Sequence, residues 1–186
     1  MGLSQKYKKS LDEKWCMRFK TLHPDGDAYD GIVLHLSNEL IALGEMRDFE
    51  FDGINVFPRN AIKGYRDNKF DRCCNQILFG NGQLKRLRVA KWLNACETFN
   101  QLALVLMKRD IWPAVEVVFK DGDRALYVGP IVEVKNKHFS INCYDAAGKW
   151  EKVYRLKFNE VFRFEFGSKY TNHFNNYMRQ KEVSGQ

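Results

Sequence analysis

The C-terminal third of the chain carries the clearest alternation of apolar and polar positions. From Val161 to Phe166, Phe162, Phe164 and Phe166 point one way while Arg163 and Glu165 point the other. Such a period of two predicts a strand with one buried and one wet face. Similar short runs recur along the chain. Trp15 to Leu22, Gly31 to Leu36, Leu40 to Met46, Ile54 to Phe57 and Ala61 to Tyr65 read as strands in the first half. Ala114 to Phe119, Gly129 to Lys135, His138 to Tyr144, Lys152 to Lys157 and Val161 to Phe166 read as strands in the second. Polar turn residues separate them: Pro24-Asp25-Gly26-Asp27, Ser37-Asn38-Glu39, Lys120-Asp121-Gly122 and Asp145-Ala146-Ala147-Gly148. Phe51-Asp52-Gly53 predicts a further tight bend, because Asp-Gly tolerates positive φ.

Helical spacing appears in three places. Val89, Trp92 or Leu93, Cys96, Phe99, Leu102 and Leu106 mark an amphipathic helix over Val89 to Met107. Asp110-Ile111-Trp112-Pro113 ends it, since proline lacks the donor and restricts the residue before it. Asp71 to Leu78 and Thr171 to Arg179 read as shorter helices, each after the last strand of a set.

The two sets of strands come into register when the sequence is shifted by about 98 residues. Gly31 then falls on Gly129, Leu34 and Leu36 on Val132 and Val134, and Asn38 on Asn136. With one residue more, Asn60 meets Asn159 and Ile62 meets Val161. An internal repeat of this kind points to two copies of one unit. About five short strands in under about sixty residues bury little as a flat sheet, and curling them reduces exposed edges. The expected fold is mainly β (α+β), with two SH3-like or Sm-like small-barrel repeats joined and flanked by helices. The expected organisation is a first repeat with its trailing helix over 1–80, a loop and linker helix over 81–112, and a second repeat with a C-terminal helix over 113–186.

Composition narrows the class. The 186 residues are 45% hydrophobic and 14% aromatic, enough for a packed core and unlike a disordered chain. The net charge is +7, spread evenly: residues 1–93 hold 16 basic and 12 acidic side chains, and residues 94–186 hold 14 and 11. There is no basic arm or acidic tail, so the excess is compatible with a polyanion partner without requiring one. The cysteines (Cys16, Cys73, Cys74, Cys96 and Cys143) are odd in number and form no C-x-x-C pair. This excludes a fully paired disulfide framework within one chain and zinc-ribbon spacing. With a polar, Lys-rich start and no apolar run of membrane-spanning length, the expectation is a cytoplasmic protein with no membrane partner.

Gly31-Ile32-Val33-Leu34-His35-Leu36-Ser37-Asn38-Glu39-Leu40-Ile41-Ala42-Leu43, then Phe51-Asp52-Gly53-Ile54, then Ile62, resembles a pattern in uncharacterised bacterial proteins with tandem Sm-like or SH3-like barrels. A glycine opens a bent strand, and a polar turn, an apolar strand, a Phe-Asp-Gly bend and a final strand follow. The resemblance covers about thirty residues of the first copy well and the second copy weakly, where Trp150-Glu151-Lys152 stands near the Asp-Gly position. It implies a binding module. Sm-like proteins often bind RNA and SH3-like ones often bind peptides, and neither activity follows from the fold alone.

Candidate chemistry is sparse. His23-Pro24-Asp25 matches the tripeptide of J-domain co-chaperones but stands in strand-like text and reads as a turn. His23, His35, His138 and His173 show no metal-ligand spacing, so no metal or cofactor is expected. Vicinal Cys73 and Cys74 read as one buried and one partly exposed thiol on a helix. The carboxylates at Asp25, Asp27, Asp30, Asp48, Glu50 and Asp52 fall in polar turns and read as solvated. Gly80-Asn81-Gly82 lacks the frame of a phosphate loop. The one constellation that suggests a ligand is Arg59, Lys63, Arg66, Lys69 and Arg72 interleaved with Tyr65 and Phe70, extended by Lys85, Arg86, Arg88 and Lys91. Cations among aromatics suit single-stranded nucleic acid, through phosphate contact and base stacking, although Asp67 and Asp71 interrupt the run. The expected function is therefore a non-catalytic binding protein, not an enzyme, acting on a protein partner in an accessory or immunity-type role. The alternative is RNA or single-stranded DNA binding through the basic-aromatic stretch. Exposed sheet edges also suit a homodimer.

Overall fold

The computed structural model describes residues 3–22, 27–82, 84, 87 and 91–184. The chain is mixed α+β, predominantly strand, and divides into two compact units, residues 1–97 and 98–186.

Unit 1 opens with helix α1 (Leu3–Glu13), followed by β1 (Met17–Thr21), β2 (Ala28–Leu36), β3 (Leu40–Arg47) and β4 (Glu50–Pro58). A 3₁₀ turn (Arg59–Ala61), β5 (Ile62–Arg66) and helix α2 (Lys69–Gly80) complete the main body, and a second 3₁₀ turn (Lys91–Ala95) lies near its end. The strands run in the order β5-β1-β2-β3-β4, all antiparallel. Phe19, Ile32, Leu43 and Phe57 are fully buried between the sheet and its helices. Helix α1 enters this core through Tyr7 and Ser10; the Ser10 hydroxyl donates to Trp15 O (2.6 Å) and accepts from Val33 N (3.0 Å).

Helix α2 begins where Asn68 caps it and Asp71 closes a capping box, so its start is set by local sequence. Its inner face buries Asp71, Asn75 and Leu78. Asn75 is wholly buried; its Oδ1 accepts from Cys16 N and its Nδ2 donates to Cys16 O, both at 2.8 Å. One side chain thereby supplies both backbone partners of the residue before β1.

Unit 2 runs α3 (Phe99–Lys108), β6 (Ala114–Val118), β7 (Arg124–Val128), β8 (Ile131–Val134), β9 (His138–Tyr144) and β10 (Trp150–Lys157). A 3₁₀ turn (Phe158–Glu160), β11 (Val161–Phe166) and α4 (Lys169–Ser184) follow. Its strands pair in the orders β11-β6-β7 and β10-β9-β8. Trp112, Ala114, Val128, Tyr144 and Met178 form a core cluster. Asn175 of α4 donates to Trp112 O (2.8 Å) and accepts from the Tyr144 hydroxyl (2.7 Å).

Several expectations change. The sheets are open rather than closed barrels. Among the described residues β4 and β5 do not pair, because the 3₁₀ turn between them redirects the chain and β5 lies along β1 instead. The bend expected at Asp52-Gly53 lies inside β4, beside a register shift between Gly44 and Met46; the turn itself is Asp48-Phe49, with φ of 50° and 62°. The strand expected over Gly129 to Lys135 is β8, begun at Ile131; an unexpected β7 precedes it, and at Gly129-Pro130 the chain passes from pairing with β6 to pairing with β9: Gly129 N donates to Pro113 O and Asn142 N to Pro130 O. The helix expected over Val89–Met107 starts only at Phe99, since Thr98 and Gln101 form a capping box there, and it lies in unit 2. His23-Pro24-Asp25 lies outside the described residues.

Candidate functional site

Unit 1 contains a pocket of about 170 Å³ lined by Cys16, Asp30, Met46, Asp48, Phe49, Arg66, Asp71, Cys74 and Leu78. Four elements and a turn build it. Strand β2 brings Asp30, and the β3–β4 hairpin brings Met46, Asp48 and Phe49. Arg66 ends β5, and Asp71, Cys74 and Leu78 stand on α2.

The Arg66 guanidinium grips Asp71 through both oxygens, with Nη2 to Oδ1 at 2.8 Å and Nε to Oδ2 at 3.1 Å. Asn68 N also donates to Asp71 Oδ2 at 2.8 Å. Burial pushes the Asp71 carboxyl upward, but the bonds from Arg66 and Asn68 outweigh it and hold the pKa below the ordinary range. This pair therefore neutralises itself. Asp30 differs. Among the described residues its one ion pair, with Arg18, is 3.8 Å long. Burial raises its pKa; Arg18 and Arg66 oppose the rise and Asp71 adds to it.

Both thiols in the pocket are held protonated. Burial raises Cys16 far above the ordinary thiol range, with Asp30 and Cys74 adding to the effect. Cys74 is raised by burial and then by Asp30 and Asp71. Neither has the thiolate character that nucleophilic chemistry needs. Among the described residues, no three His, Cys, Asp or Glu side chains gather as metal ligands.

Phe49 is 43% exposed, beside the pocket it lines, and adopts a backbone conformation that costs a non-glycine residue about 1 kcal/mol or more. Two-residue hairpins of this geometry favour Asn-Gly, because both central residues need positive φ. Asp48 suits the first position, but Phe49 keeps a large ring where glycine is the easy choice.

Beside the pocket, α2 turns an apolar stripe outward. At about 100° per residue, Phe70, Cys73 and Ile77 share one face, adjoining Cys74 and Leu78. Phe70 is 62% and Ile77 39% exposed, and Cys73 is exposed while Cys74 is half-buried.

The basic-aromatic stretch is dispersed. Arg59 donates to Ser37 O and Ser4 Oγ, both at 3.0 Å. Lys63 is exposed on β5, and Tyr65 is half-buried with Lys6 Nζ 5.5 Å from its ring centre. Lys69 lies 5.2 Å over the Phe70 ring, and Arg72 is exposed on α2. Of the described members only Arg66 lines the pocket, where Asp71 holds it. Lys85, Arg86 and Arg88 lie outside the described residues. Asp30 and Asp48, expected as solvated turn carboxylates, line the pocket instead, Asp30 from within β2; Phe49 gives no signal in the sequence, because an Arg-Asp-Phe-Glu run carries no glycine to announce a turn. Among the described residues, no helix is long and apolar enough to cross a membrane. No family model, curated protein or solved structure matches the chain.

Proposed function

We propose that the protein is a non-catalytic binding protein whose first unit takes a basic side chain of a protein partner. The observation that carries this is the weakly paired, desolvated carboxylate of Asp30 in a pocket with an aromatic ring at its edge. Three carboxylates and one guanidinium line the pocket, and that guanidinium is already matched by Asp71. Met46, Phe49 and Leu78 supply apolar walls for the methylene stem of an arginine or lysine, and Phe49 offers a face for its charge. The stripe of Phe70, Cys73 and Ile77 gives neighbouring apolar surface, of the kind that marks protein contacts.

The finer fold reading fits a binding module. Each unit has a 3₁₀ turn before its last strand, and that strand pairs with the first, β5 with β1 and β11 with β6, as in a small curled sheet. This supports two small-barrel-like repeats. Five free thiols support a reducing, cytoplasmic setting.

The test is a titration of the ¹⁵N-labelled protein with the peptide Leu-Arg-Leu, capped at both ends, and with its neutral citrulline counterpart. The arginine peptide is expected to shift the amides of Asp30, Asp48 and Phe49 and to bind at least about tenfold more tightly than the neutral one. Equal binding of the two, or shifts confined elsewhere, overturns the reading.

Two variants separate binding from folding. Asp30→Asn is expected to abolish the preference for arginine while raising the Tm at pH 7. A carboxyl whose folded pKa lies above its unfolded value favours folding when protonated and loses that contribution as pH rises. The gain from asparagine is therefore largest at neutral pH and shrinks toward the carboxylate range. Phe49→Gly is expected to weaken peptide binding without lowering the Tm, because glycine removes the strain at φ 62°. A clear fall in Tm would mean that the ring serves packing instead.

A further inference from the structure

Unit 2 presents a second, chemically opposite concavity, lined by Lys135, Asn136, Lys137, His138 and Arg155. We infer that it binds the phosphodiester backbone of single-stranded nucleic acid, independently of the pocket in unit 1.

The loop between β8 and β9 that carries these residues is held in place from several sides. Lys135 N donates to His138 O at 2.8 Å, closing the turn. Asn100 Nδ2 donates to Lys135 O (2.8 Å), and Phe158 N donates to Lys137 O (3.2 Å). Arg155 stands on β10, and its Nη2 lies 3.2 Å from His138 Nδ1. If Arg155 donates, the ring accepts at Nδ1 and carries its proton on Nε2 as a further donor. The backbone that carries Lys135 and Lys137 is thus fixed before any ligand arrives, which lowers the ordering cost of binding.

The charge balance at the site favours an anion. Lys135, Lys137 and Arg155 are exposed cations. Glu133 pairs with Lys135 at 2.8 Å, and Glu160 is taken by Lys157 at 2.9 Å. Among the described residues neither Lys137 nor Arg155 is in a salt bridge; Arg155 touches the His138 imidazole and feels the Glu133 charge. The hydrogen bond from Lys135 holds the Glu133 carboxyl below its ordinary range, with the charge of Lys135 and then of Arg155 adding to it.

Two features favour a nucleic-acid strand over a small phosphate or a phosphopeptide. The concavity is open and its cations are spread around it, whereas small ligands are held in enclosed sites. Phe158 is half-buried, with its ring stacked on the buried Phe139 at 5.1 Å between centroids, and its backbone N–H donates to Lys137 O. An aromatic beside phosphate-binding cations is the arrangement on which unpaired bases stack.

The experiment is fluorescence anisotropy of the full chain with a labelled 12-nucleotide single-stranded RNA and its DNA equivalent across a salt series. Inorganic phosphate and a phosphoserine peptide serve as competitors. Binding is expected to weaken with salt at a log–log slope of about −1.4, as the two cations without a salt bridge predict on a single strand. Lys137→Gln and Arg155→Gln should each reduce affinity roughly fivefold or more and flatten the slope by about 0.7. Lys137 makes no side-chain ion pair, so its variant stays informative if Arg155→Gln melts early by circular dichroism. Lys63→Gln with Lys69→Gln tests the rival stretch in unit 1 and should leave binding in place. The inference is overturned by no binding at low salt, by indifference to Lys137→Gln, by loss through the unit 1 variant instead, or by displacement at equal concentrations of phosphate or phosphopeptide.

Discussion

Gly129→Ala is expected to unfold the second unit, costing about 4 kcal/mol or more. A Cβ at this position would stand 2.0 Å from Asn142 O, and the backbone there has φ of 151°. The obstacle is backbone, so no side-chain rotation relieves it. The residue also marks the point where one strand ends and the next begins, so a shift would carry into both β7 and β8. Two further glycines grade the effect. Gly31→Ala meets Gly44 O at 2.8 Å and should destabilise unit 1 by a smaller amount. Gly64→Ala meets nothing within 4 Å and should leave stability unchanged or raise it by about 0.5 kcal/mol. Urea titrations of the three variants would check the order. Near-ultraviolet dichroism would report Trp112 and Trp150 of unit 2, which pack at a ring distance of 5.9 Å. A cooperative native-like transition in Gly129→Ala would refute the account.

Asn75→Ala is expected to destabilise unit 1 by about 3 kcal/mol. The asparagine is fully buried, and its loss strands the N–H and the C=O of Cys16 in the core. Each unsatisfied buried group costs about 1–3 kcal/mol, well above the net worth of an ordinary hydrogen bond. Asn75→Asp does not rescue it, because a carboxylate can accept from Cys16 N but cannot donate to Cys16 O, and it buries a charge. Hydrogen exchange at the Cys16 amide is the direct readout. The amide should be among the slowest of unit 1 in the parent chain and exchange much faster in the alanine variant. An unchanged rate would show that the tether is redundant.

The strands were largely legible because period-two patterning reports burial on one face. Phe162, Phe164 and Phe166 are buried and Arg163 and Glu165 half-buried, as the alternation requires. The polar face is not idle: Arg163 Nε donates to Glu116 Oε2 at 2.6 Å, a pairing between residues far apart in sequence that no local pattern could reveal. Helix α1 escaped notice because its inner face rests on Tyr7 and Ser10, and a buried serine gives no hydrophobic signal. Strand β7 escaped notice because Ala125 and Tyr127 are only half-buried and Leu126 is 50% exposed. The unit 1 pocket was hidden for a different reason. Asp30, Asp48 and Asp71 are distant in sequence and look like turn or helix-start residues, and only the folding of β2, the β3–β4 hairpin and α2 around one space makes them a site. The basic stretch was conspicuous because its residues are close in sequence, yet consecutive positions on a strand and then a helix point in several directions.

The strand order has a consequence for assembly. Within unit 1, β1, β2 and β3 each pair with the next strand, so these first four strands can zip together through short connections. Residues 18–21 meet 62–66 only when β5 arrives. Local pairings of this kind form before distant ones, since each distant contact first requires the intervening chain to be gathered in. Helix α2 comes later still in the sequence, and its Asn75 fastens onto the residue just ahead of the first strand. A growing chain would therefore pair its first four strands, add β5 along β1, and only then latch α2 onto the residue ahead of the first strand.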